Sequence, residues 1–477
     1  MKRSIKVLYV AAEISPYANA GGLGEVGKSF PAALLEDNDI EVRRVMPFHK
    51  CVKGKMEYLQ DFPVAMGQEN ETCIVKIDSD SKKLPTYFIE NARYFYREDI
   101  YGYQDDGIRY FFFCCAVVEM LKVIPYKPDI LHANDWHTGF LPVLIKKEFP
   151  AIKTVFTIHN IAYHGYIPAS YMNGKLTDTE INQLGWPEWL DFMKAGIIYA
   201  DMLTTVSSGY CEEIQQPIPS SGMATLIKER TNGIVGIRNG IDTVSYNPSD
   251  ERAIDYPYDI DHLGEKKKNR SLLREHYGLS DKDIPLVTMI TRLDYSKGID
   301  LLPKVLSLLK LETFQLIVLG SGSTLYQQML SGLAEEYPGI FVADFDYSPD
   351  LAKKIYAACD IYLMPSKFEP CGLSQLYAMR YGAVPVVNPV GGLKCTVADD
   401  REHPENSTGF YMQEWDGEAL AAALQRAISA YGTPSWNDYM KNGVNFDSSW
   451  KRSVTEYRKL YEELLISLES PKENNLG

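Results

Sequence analysis

The chain has 477 residues, more than a single compact domain usually contains, so two domains are expected. Hydrophobic residues make up 45% of the chain and charged residues 23%, which is ordinary globular composition and excludes a disordered or fibrous protein. The formal net charge of −14 disfavours broad contact with nucleic acid or with an anionic membrane surface.

The cysteines and the apolar runs indicate the compartment. The eight cysteines are scattered and form no Cys-x-x-Cys pair, which argues against a zinc site or a disulfide framework. The N-terminal apolar segment contains Lys6 and ends at Glu13, so it predicts a buried strand instead of a signal peptide. The densest apolar run, residues 110–118, is too short to cross a bilayer. We therefore expect a soluble, cytoplasmic protein with no nucleic-acid or membrane partner.

Short β-branched runs alternate with amphipathic segments along the first half of the chain. The runs that predict parallel strands are residues 5–12, 40–47, 130–133, 154–158 and 202–206. Between them, segments such as 27–35 and 139–148 have helical periodicity. This alternation predicts a doubly wound α/β domain.

The alternation stops near Asn239, and a loop rich in Asp, Pro and Tyr follows from residue 242 to about 263. A basic run at 266–270 opens the next predicted helix. Further strands are predicted at residues 285–291, 314–319, 341–345, 361–364 and 384–388. We place the domains at 1–240 and 241–450, followed by an amphipathic helix in 451–477 whose pattern fits packing on either domain. Two facing Rossmann-like domains would leave an interdomain cleft at the carboxyl ends of their sheets, where ligands usually bind.

Residues 22–27 match the GxGxxG pattern of dinucleotide-binding dehydrogenases. Two features oppose that interpretation: about ten residues separate the glycines from the preceding strand, and no acidic residue ends the second strand. We interpret the segment as a flexible turn whose amides approach a phosphate or a sugar at a helix N-terminus. A glycine cluster with no ligand is the alternative.

Polar clusters follow several of the predicted strands. Asp135 and His159 come after the third and fourth strands, and Arg292 and Lys297 come after the first strand of the second domain. Glu369 lies in a stiff Pro-Ser-Lys-Phe-Glu-Pro-Cys-Gly turn.

Asp-x-Asp pairs could bind a metal, and they occur at residues 78/80, 259/261, 281/283 and 344/346. None of these pairs adjoins a nucleotide-binding loop, so we interpret them as solvated acids.

Together these strings resemble the bacterial glycogen synthases and plant starch synthases. The segments that carry the resemblance are residues 18–26, 132–137, 157–165, 239–242, 292–297 and 365–377, and the last of these is the most specific. The resemblance implies a retaining glucosyltransferase of the GT-B type that needs no metal or other cofactor. Its partners would be ADP-glucose as donor and the non-reducing 4-hydroxyl of an α-1,4-glucan as acceptor. It also implies that the terminal helix returns to the N-terminal domain.

The resemblance assigns a role to each matching position. Glu369 would contact the donor glucose and stabilise developing positive charge, with Asp135 and His159 on the other side of the sugar. Arg292 and Lys297 would bind the diphosphate. Further donor contacts are implied at Asn19, Gly21, Gly22, Asn239, Tyr347, Cys371, Gly372, Leu373 and Ser374, and acceptor contacts at Tyr101, Tyr103 and Trp136.

Asn19 departs from the family pattern, in which a lysine usually precedes the Gly-Gly-Leu turn and contacts the nucleotide sugar. Loss of one cation at a diphosphate would weaken donor binding by about 1–3 kcal/mol. Two alternatives therefore stay open: a relative that uses another nucleotide sugar, such as UDP-glucose, or a small acceptor, and a glucan-binding relative without turnover.

Overall fold

A computed structural model describes residues 4–78, 83–172, 174–186, 188–250 and 252–469. The chain divides into two compact units, which are residues 1–240 with 450–477 (unit 1) and residues 241–449 (unit 2). Within its described residues each unit is built on a mainly parallel sheet that helices cover.

Unit 1 has alternating strands and helices. Its strands are β1 (Ile5–Val10), β2 (Ile40–Pro47), β3 (Met56–Met66), β4 (Glu69–Asp78), β5 (Thr86–Glu90), β6 (Ile130–Asn134), β7 (Lys153–Ile158), β8 (Tyr166–Pro168), β9 (Gly185–Trp186), β10 (Trp189–Asp191), β11 (Met202–Thr205) and β12 (Val235–Gly236). Its helices before residue 240 are α1 (Gly22–Leu34), α2 (Ala92–Phe95), α3 (Asp106–Val123), α4 (Leu141–Glu148), α5 (Asp178–Leu184), α6 (Phe192–Tyr199), α7 (Ser208–Glu213) and α8 (Ala224–Lys228).

The described strands of unit 1 form a sheet in the order β12-β11-β7-β6-β1-β2-β5-β4-β3, in which β4 alone runs antiparallel to its neighbours β5 and β3. A separate small antiparallel sheet has the order β8-β10-β9. All five strands predicted from the sequence in this half are confirmed, whereas the β3–β4 hairpin, β5, β12 and the three short strands of the small sheet were missed. In the large sheet, β2 and β6 flank β1 on opposite sides, so the direction of winding reverses beside β1.

Unit 2 contains strands β13 (Leu286–Ile290), β14 (Gln315–Leu319), β15 (Phe341–Asp344), β16 (Ile361–Met364), β17 (Val384–Val387) and β18 (Phe410–Tyr411). Its helices are α9 (Lys266–His276), α10 (Leu302–Leu308), α11 (Thr324–Glu336), α12 (Pro349–Ala358), α13 (Ser374–Arg380), α14 (Gly391–Thr396), α15 (Gly417–Ala430) and α16 (Pro434–Asn445).

The described strands of unit 2 form one parallel sheet in the order β15-β14-β13-β16-β17-β18, with apolar clusters packed on both faces. The five strands predicted in this half are confirmed. Because β14 and β16 flank β13 on opposite sides, the winding reverses beside β13. The loops that follow β13 and β16 therefore leave the sheet at its switch point, where open α/β sheets usually bind ligands.

The last helix, α17 (Lys451–Glu469), packs on unit 1. The Tyr457 ring lies 4.6 Å from the Phe30 ring of α1, and the Tyr461 hydroxyl is 2.7 Å from His132 Nδ1 of β6. The Arg458 guanidinium donates to Asp37 and Asp39, which follow α1. Apolar, aromatic and ionic contacts thus all hold the helix against the same unit.

Candidate active site

Asp135 and His159 lie at the ends of adjacent strands in unit 1. The Asp135 amide directly after β6 donates to the carbonyl of Thr157 in β7, at 2.9 Å. His159 Nε2, directly after β7, lies 3.0 Å from Oδ1 of Asn134, the last residue of β6. The parallel pairing of β6 with β7 therefore brings the two predicted catalytic residues together at one edge of the sheet.

The backbone of Asp135 is strained. Its φ of 61° and ψ of 175° lie in a region that is almost restricted to glycine and costs about 1–3 kcal/mol for other residues. The conformation is held because Asp135 Oδ1 accepts the Trp136 amide at 3.0 Å, while the Asp135 carbonyl accepts the Thr138 hydroxyl at 3.0 Å. Strain of this kind is typical of functional positions.

Burial changes the protonation of these groups. It raises the pKa of Asp135 from 3.8 to about 7, with nearby backbone amides acting in the opposite direction. Burial also lowers the pKa of His159 and of His132 to about 3. Asp135 can therefore exchange a proton near neutral pH, whereas His159 is a neutral hydrogen-bonding group and not a cation.

The glycine loop of unit 1 opens α1, as the sequence indicates. Gly21 and Gly22 are exposed, and a Cβ on Gly21 would contact nothing within 4 Å, so the fold itself does not require glycine there. Asn19 is also exposed, but its side chain folds back: Nδ2 donates to Glu25 at 2.8 Å and Oδ1 accepts the Gly21 amide at 3.2 Å. The buried Glu13 carboxylate accepts the Ala20 amide and so anchors this loop, a role that the sequence pattern gave no signal for.

The predicted acceptor residues of unit 1 are built into its packing. Trp136 is 9% exposed, and a Cβ on Gly165 would lie 2.0 Å from its ring, so only glycine fits there. The Tyr101 ring packs 4.7 Å from His137, and the Tyr103 ring lies 4.9 Å from the guanidinium groups of Arg97 and Arg109. Their acceptor contacts stay predictions.

Asn239, a predicted donor contact, is buried, and its backbone amide donates to the carbonyl of Val206.

The turn after β13 places the two cations of unit 2. Asp294 caps the short 3₁₀ turn Tyr295–Lys297 by accepting the Ser296 amide at 2.8 Å. Gly298 ends the turn with φ 70°, and a Cβ there would lie 2.4 Å from the Pro365 carbonyl, so glycine is required on both counts. The Arg292 side chain is exposed, 3.7 Å from Asp294 Oδ2. The turn is thus held closely against the loop that follows β16.

Lys297 and Glu369 form an ion pair between these two loops. Lys297 Nζ lies 2.7 Å from Glu369 Oε2, and the side chains are only 15% and 11% exposed. The buried Ser366 hydroxyl donates to the same carboxylate oxygen at 3.0 Å. Asn388 Nδ2 donates to the Ser366 carbonyl at 2.8 Å. Removal of one partner from a buried pair leaves a poorly compensated charge, which is strongly destabilising. Ser366 and Asn388 thus orient Glu369, and the sequence analysis did not assign them that role.

Lys367 adds a second connection between the same loops. Its amide donates to the Ser296 carbonyl at 2.7 Å, and its ammonium donates to the Tyr295 hydroxyl at 2.7 Å. The ammonium also lies 4.7 Å from the centre of the Trp415 ring. These contacts fix the turn that carries Lys297 relative to the turn that carries Glu369.

The predicted donor residues 371–374 lead into α13. Gly372 has φ 69°, and Cys371 is buried so closely against Gly392 that a Cβ on that glycine would lie 1.9 Å from the Cys371 carbonyl oxygen. Leu373 precedes the helix, and Ser374 is its first residue. Tyr347 lies after β15 with 54% of its surface exposed.

The described residues contain no group of three or more His, Cys, Asp or Glu side chains that could hold a metal ion. Of the Asp-x-Asp pairs, Asp80 lies outside the described residues, while Asp344 accepts from the Tyr277 hydroxyl and Asp281 from Arg274. No helix within the described ranges is long and apolar enough to span a membrane.

Comparison with known proteins defines the class. Residues 6–229 match the starch synthase catalytic domain, and residues 272–444 match the glycosyl transferases group 1. The structure superposes on the catalytic domain of starch synthase IV from Arabidopsis thaliana, described as bound to ADP and acarbose, with a TM-score of 0.90 and 30% identity over 97% of this chain and 100% of that one. A sucrose-phosphate synthase from Thermosynechococcus elongatus, at 18% identity and a TM-score of 0.63, shares the fold. The protein is a glycosyltransferase with two Rossmann-like domains of the GT-B type, as predicted.

Curated relatives identify the family. A glycogen synthase from Moorella thermoacetica is 38% identical over 98% of both chains. One from Clostridium beijerinckii is 37% identical over 96% of this chain and 99% of its own. The chain belongs to the glycogen and starch synthase family, and it is a glucosyltransferase.

Proposed function

We propose that the protein transfers glucose from ADP-glucose to the 4-hydroxyl at the non-reducing end of an α-1,4-glucan, with retention of configuration. Family membership over the whole chain supports the reaction class. The ADP on the Arabidopsis relative supports an adenine nucleotide as donor. The observation that carries the proposal is the Lys297–Glu369 pair, because it places a cation and an oriented carboxylate together at the switch point of one sheet.

The cations of unit 2 are proposed to bind the diphosphate of the donor. Arg292 is exposed and can form two parallel hydrogen bonds to phosphate oxygens, whereas Lys297 supplies a compact charge. Both would compensate the negative charge that develops on the leaving group. Residues Tyr347, Cys371, Gly372, Leu373 and Ser374 in unit 2, and Asn19, Gly21, Gly22 and Asn239 in unit 1, are proposed as further donor contacts.

Glu369 is proposed to bind hydroxyls of the donor glucose and to stabilise positive charge at its anomeric carbon. The Ser366 hydroxyl and the Lys297 ammonium both donate a hydrogen bond to the same oxygen of the Glu369 carboxylate, Oε2. This fixes the direction of the carboxylate before any sugar binds, which is the preorganisation that transition-state stabilisation requires. Neutral His159 and Asp135 are proposed to hydrogen-bond the same glucose, and Trp136, Tyr101 and Tyr103 to contribute to acceptor binding.

The bond changes are those of a same-face substitution. The bond between the anomeric carbon and the distal phosphate oxygen breaks, and a bond from that carbon to the acceptor 4-oxygen forms. The proton of the acceptor hydroxyl passes to the departing phosphate, so ADP leaves with it. Arg292 and Lys297 would stabilise the departing diphosphate, and Glu369 would stabilise the positive charge at the anomeric carbon. The proposal involves no covalent intermediate on the protein.

A cytoplasmic location is part of the proposal. The eight cysteines are scattered along the chain and form no Cys-x-x-Cys pair, which fits a reducing compartment. The acidic net charge of −14 fits partners that are a small nucleotide sugar and a neutral glucan, with no nucleic acid.

The test is transfer of labelled glucose to maltooligosaccharides from ADP-glucose and, in parallel, from UDP-glucose. Chain extension from ADP-glucose with an α-anomeric product, seen by NMR, is the expected result. Extension from UDP-glucose alone would reassign the donor, and no extension from either would leave only a glucan-binding role. Glu369→Gln, which removes the charge with almost no change in volume, should abolish most transfer. Glu414→Gln, an exposed carboxylate of the same unit, is the matched control and should not.

A further inference from the structure

Asn134 is a buried residue at the end of β6 whose partners determine which way its side-chain amide points. β6 lies between β1 and β7 in the large sheet of unit 1, and Asn134 is its last residue. Its Nδ2 donates to two backbone carbonyls, those of Val10 at the end of β1 and of His132 in β6, both at 3.1 Å. The reverse orientation of the amide would place an oxygen against two carbonyl oxygens, which repel it. Asn134 Oδ1 therefore faces His159.

The orientation of Asn134 decides the tautomer of the His159 ring. His159 Nε2 lies 3.0 Å from Asn134 Oδ1. An amide oxygen only accepts hydrogen bonds, so Nε2 must carry a proton and donate it to this bond. Burial lowers the pKa of His159 to about 3, so the ring is neutral near pH 7 and holds just this one proton. Nδ1 is then the ring nitrogen with an unshared electron pair, and it can only accept.

A fixed tautomer matters for a sugar ligand because a hydroxyl group can either donate or accept. A neutral imidazole that exchanges between its two tautomers presents Nδ1 as a donor part of the time and as an acceptor for the rest. Asn134 removes that choice, and it is itself held by the backbones of two strands, β1 and β6. Groups held rigidly in this way bind without the cost of being ordered first. His159 is thus prepared to accept a hydrogen bond from a hydroxyl group and not to donate one.

We propose that Asn134 is a positioning residue that holds His159 as its Nε2–H tautomer, so that Nδ1 accepts a hydrogen bond from a hydroxyl group of the donor glucose. Asn134 itself does not contact the sugar in this proposal, because it is buried and both ends of its amide are bonded to protein groups. The identity of the sugar rests on the function proposed above, whereas the tautomer rests on the geometry of β1, β6 and His159 alone.

Nuclear magnetic resonance of the whole protein, labelled with ¹⁵N-histidine, tests the tautomer directly. Long-range ¹H–¹⁵N correlations distinguish a protonated ring nitrogen from an unprotonated one, and the His159 signals are those missing from the spectrum of His159→Gln. We expect a protonated Nε2 and an unprotonated Nδ1 from pH 6 to pH 8. A protonated Nδ1 in the wild type, whether in the other tautomer or in an imidazolium, would overturn the proposal.

Asn134→Asp tests the link between the two side chains. The carboxylate can still accept from Nε2, but its negative charge favours the imidazolium, so the pKa of His159 should rise from about 3. An imidazolium donates from both nitrogens, so Nδ1 could no longer accept from a hydroxyl group. Transfer should therefore be lost below the raised pKa, and the kcat of the variant relative to the wild type should fall as the pH decreases from 8 to 5.

Other titratable groups lie near His159, on β6, in the turn after it and on α7, namely His132, Asp135, His137 and Tyr210. In the wild type burial keeps the two imidazoles and the tyrosine neutral between pH 5 and pH 8, while Asp135 titrates at about pH 7. A carboxylate at position 134 would also raise the pKa of Asp135 by repulsion. The resonances of His159 are therefore followed in the same titration as kcat, so that a change at Asp135 is not mistaken for one at His159.

Two further variants complete the experiment. Asn269→Asp is the matched control, because Asn269 is also buried and bonds through both ends of its amide to the backbone of Tyr256 in unit 2. It should leave the His159 signals unchanged and give the same pH dependence of kcat as the wild type. Asn134→Leu removes both the acceptor and the donor and should lower kcat about fivefold, which is typical of one lost hydrogen bond. Circular dichroism checks its folding, and Asn134→Asp decides the matter if the leucine variant does not fold.

The positioning role is overturned if His159 keeps its wild-type protonation in Asn134→Asp and the relative kcat of that variant does not depend on pH. The resonances require no turnover. A wild type that shows the expected tautomer but transfers no glucose from either nucleotide sugar would therefore refute the proposed function and leave the tautomer assignment standing.

Discussion

Asp135→Asn should make the protein more stable at pH 8 and less active. In the folded state burial raises the pKa of the Asp135 carboxyl from 3.8 to about 7. The folded protein therefore binds more protons than the unfolded chain between about pH 4 and pH 7, and the wild type loses stability as the pH rises through that window. A shift of about three pH units corresponds to about 4 kcal/mol at about 1.4 kcal/mol per unit, which is an upper limit for one buried carboxyl.

Asparagine removes the titration and keeps the local structure. Its side-chain oxygen can still accept the Trp136 amide, now at 3.0 Å, and asparagine tolerates positive φ better than most residues. The stability advantage of the variant should be near zero at pH 4 and should grow to as much as about 4 kcal/mol at pH 8. Glucosyl transfer should fall because the carboxylate is lost.

Urea unfolding of both proteins at pH 5, 6, 7 and 8 measures this difference, with glucosyl transfer assayed in parallel. Asp178→Asn, which removes an exposed carboxylate from the first turn of α5, controls for the change in net charge. A stability difference that does not depend on pH, or a variant that is less stable at pH 8, would refute the assignment of a buried carboxyl with a raised pKa at Asp135.

Three further predictions concern the donor. Arg292→Ala and Lys297→Ala should each lower kcat/KM for ADP-glucose at least tenfold, because a diphosphate contact is worth about 1.4 kcal/mol or more; unchanged steady-state constants would remove the cations from the donor site. Glucosyl transfer should survive EDTA, and a loss that Mg²⁺ or Mn²⁺ restores would count against charge compensation by these side chains. Asn19→Lys should lower the KM for ADP-glucose severalfold with a smaller change in kcat; an unchanged KM for both ADP-glucose and UDP-glucose would make this position neutral.

The positions of the site residues could be predicted because they depend on strand ends. Asp135, His159, Lys297 and Glu369 all follow short, mainly apolar runs that do not alternate with polar residues, and such runs are signals of buried parallel strands. In a doubly wound sheet the ends of these strands meet at a fixed edge, so chain order is enough to place the residues. The same logic failed for the β3–β4 hairpin, because most β3 side chains are exposed and its pattern carries no buried run.

Individual hydrogen-bond partners could not be predicted from the sequence, whether they are near or distant in the chain. Ser366 is a small polar residue in a turn, and nothing local shows that its hydroxyl orients Glu369. The basic run that opens α9 was predicted as a helix start, but its composition gave no sign that Lys266 would be buried. Its ammonium donates to the carbonyls of Tyr356, Ala357 and Tyr381, where α12 and α13 end. The last carbonyl groups of a helix have no hydrogen-bond donor within the helix and need one from elsewhere. Only the packed structure shows which side chain donates to them.

At Asn19 one feature is visible in the sequence and a second is visible only in the structure. The sequence shows that a cation is replaced by an amide, and the structure shows that the amide is engaged with Glu25 and with the Gly21 backbone. A lysine at this position would therefore encounter the Glu25 carboxylate, and an ion pair there would withhold the ammonium from a diphosphate. Glu25→Gln in the Asn19→Lys background removes that competitor, so the double variant should have a lower KM for ADP-glucose than Asn19→Lys alone. If both variants share the same KM, Glu25 does not compete for the lysine, and the contribution of this loop to donor binding comes from its backbone amides.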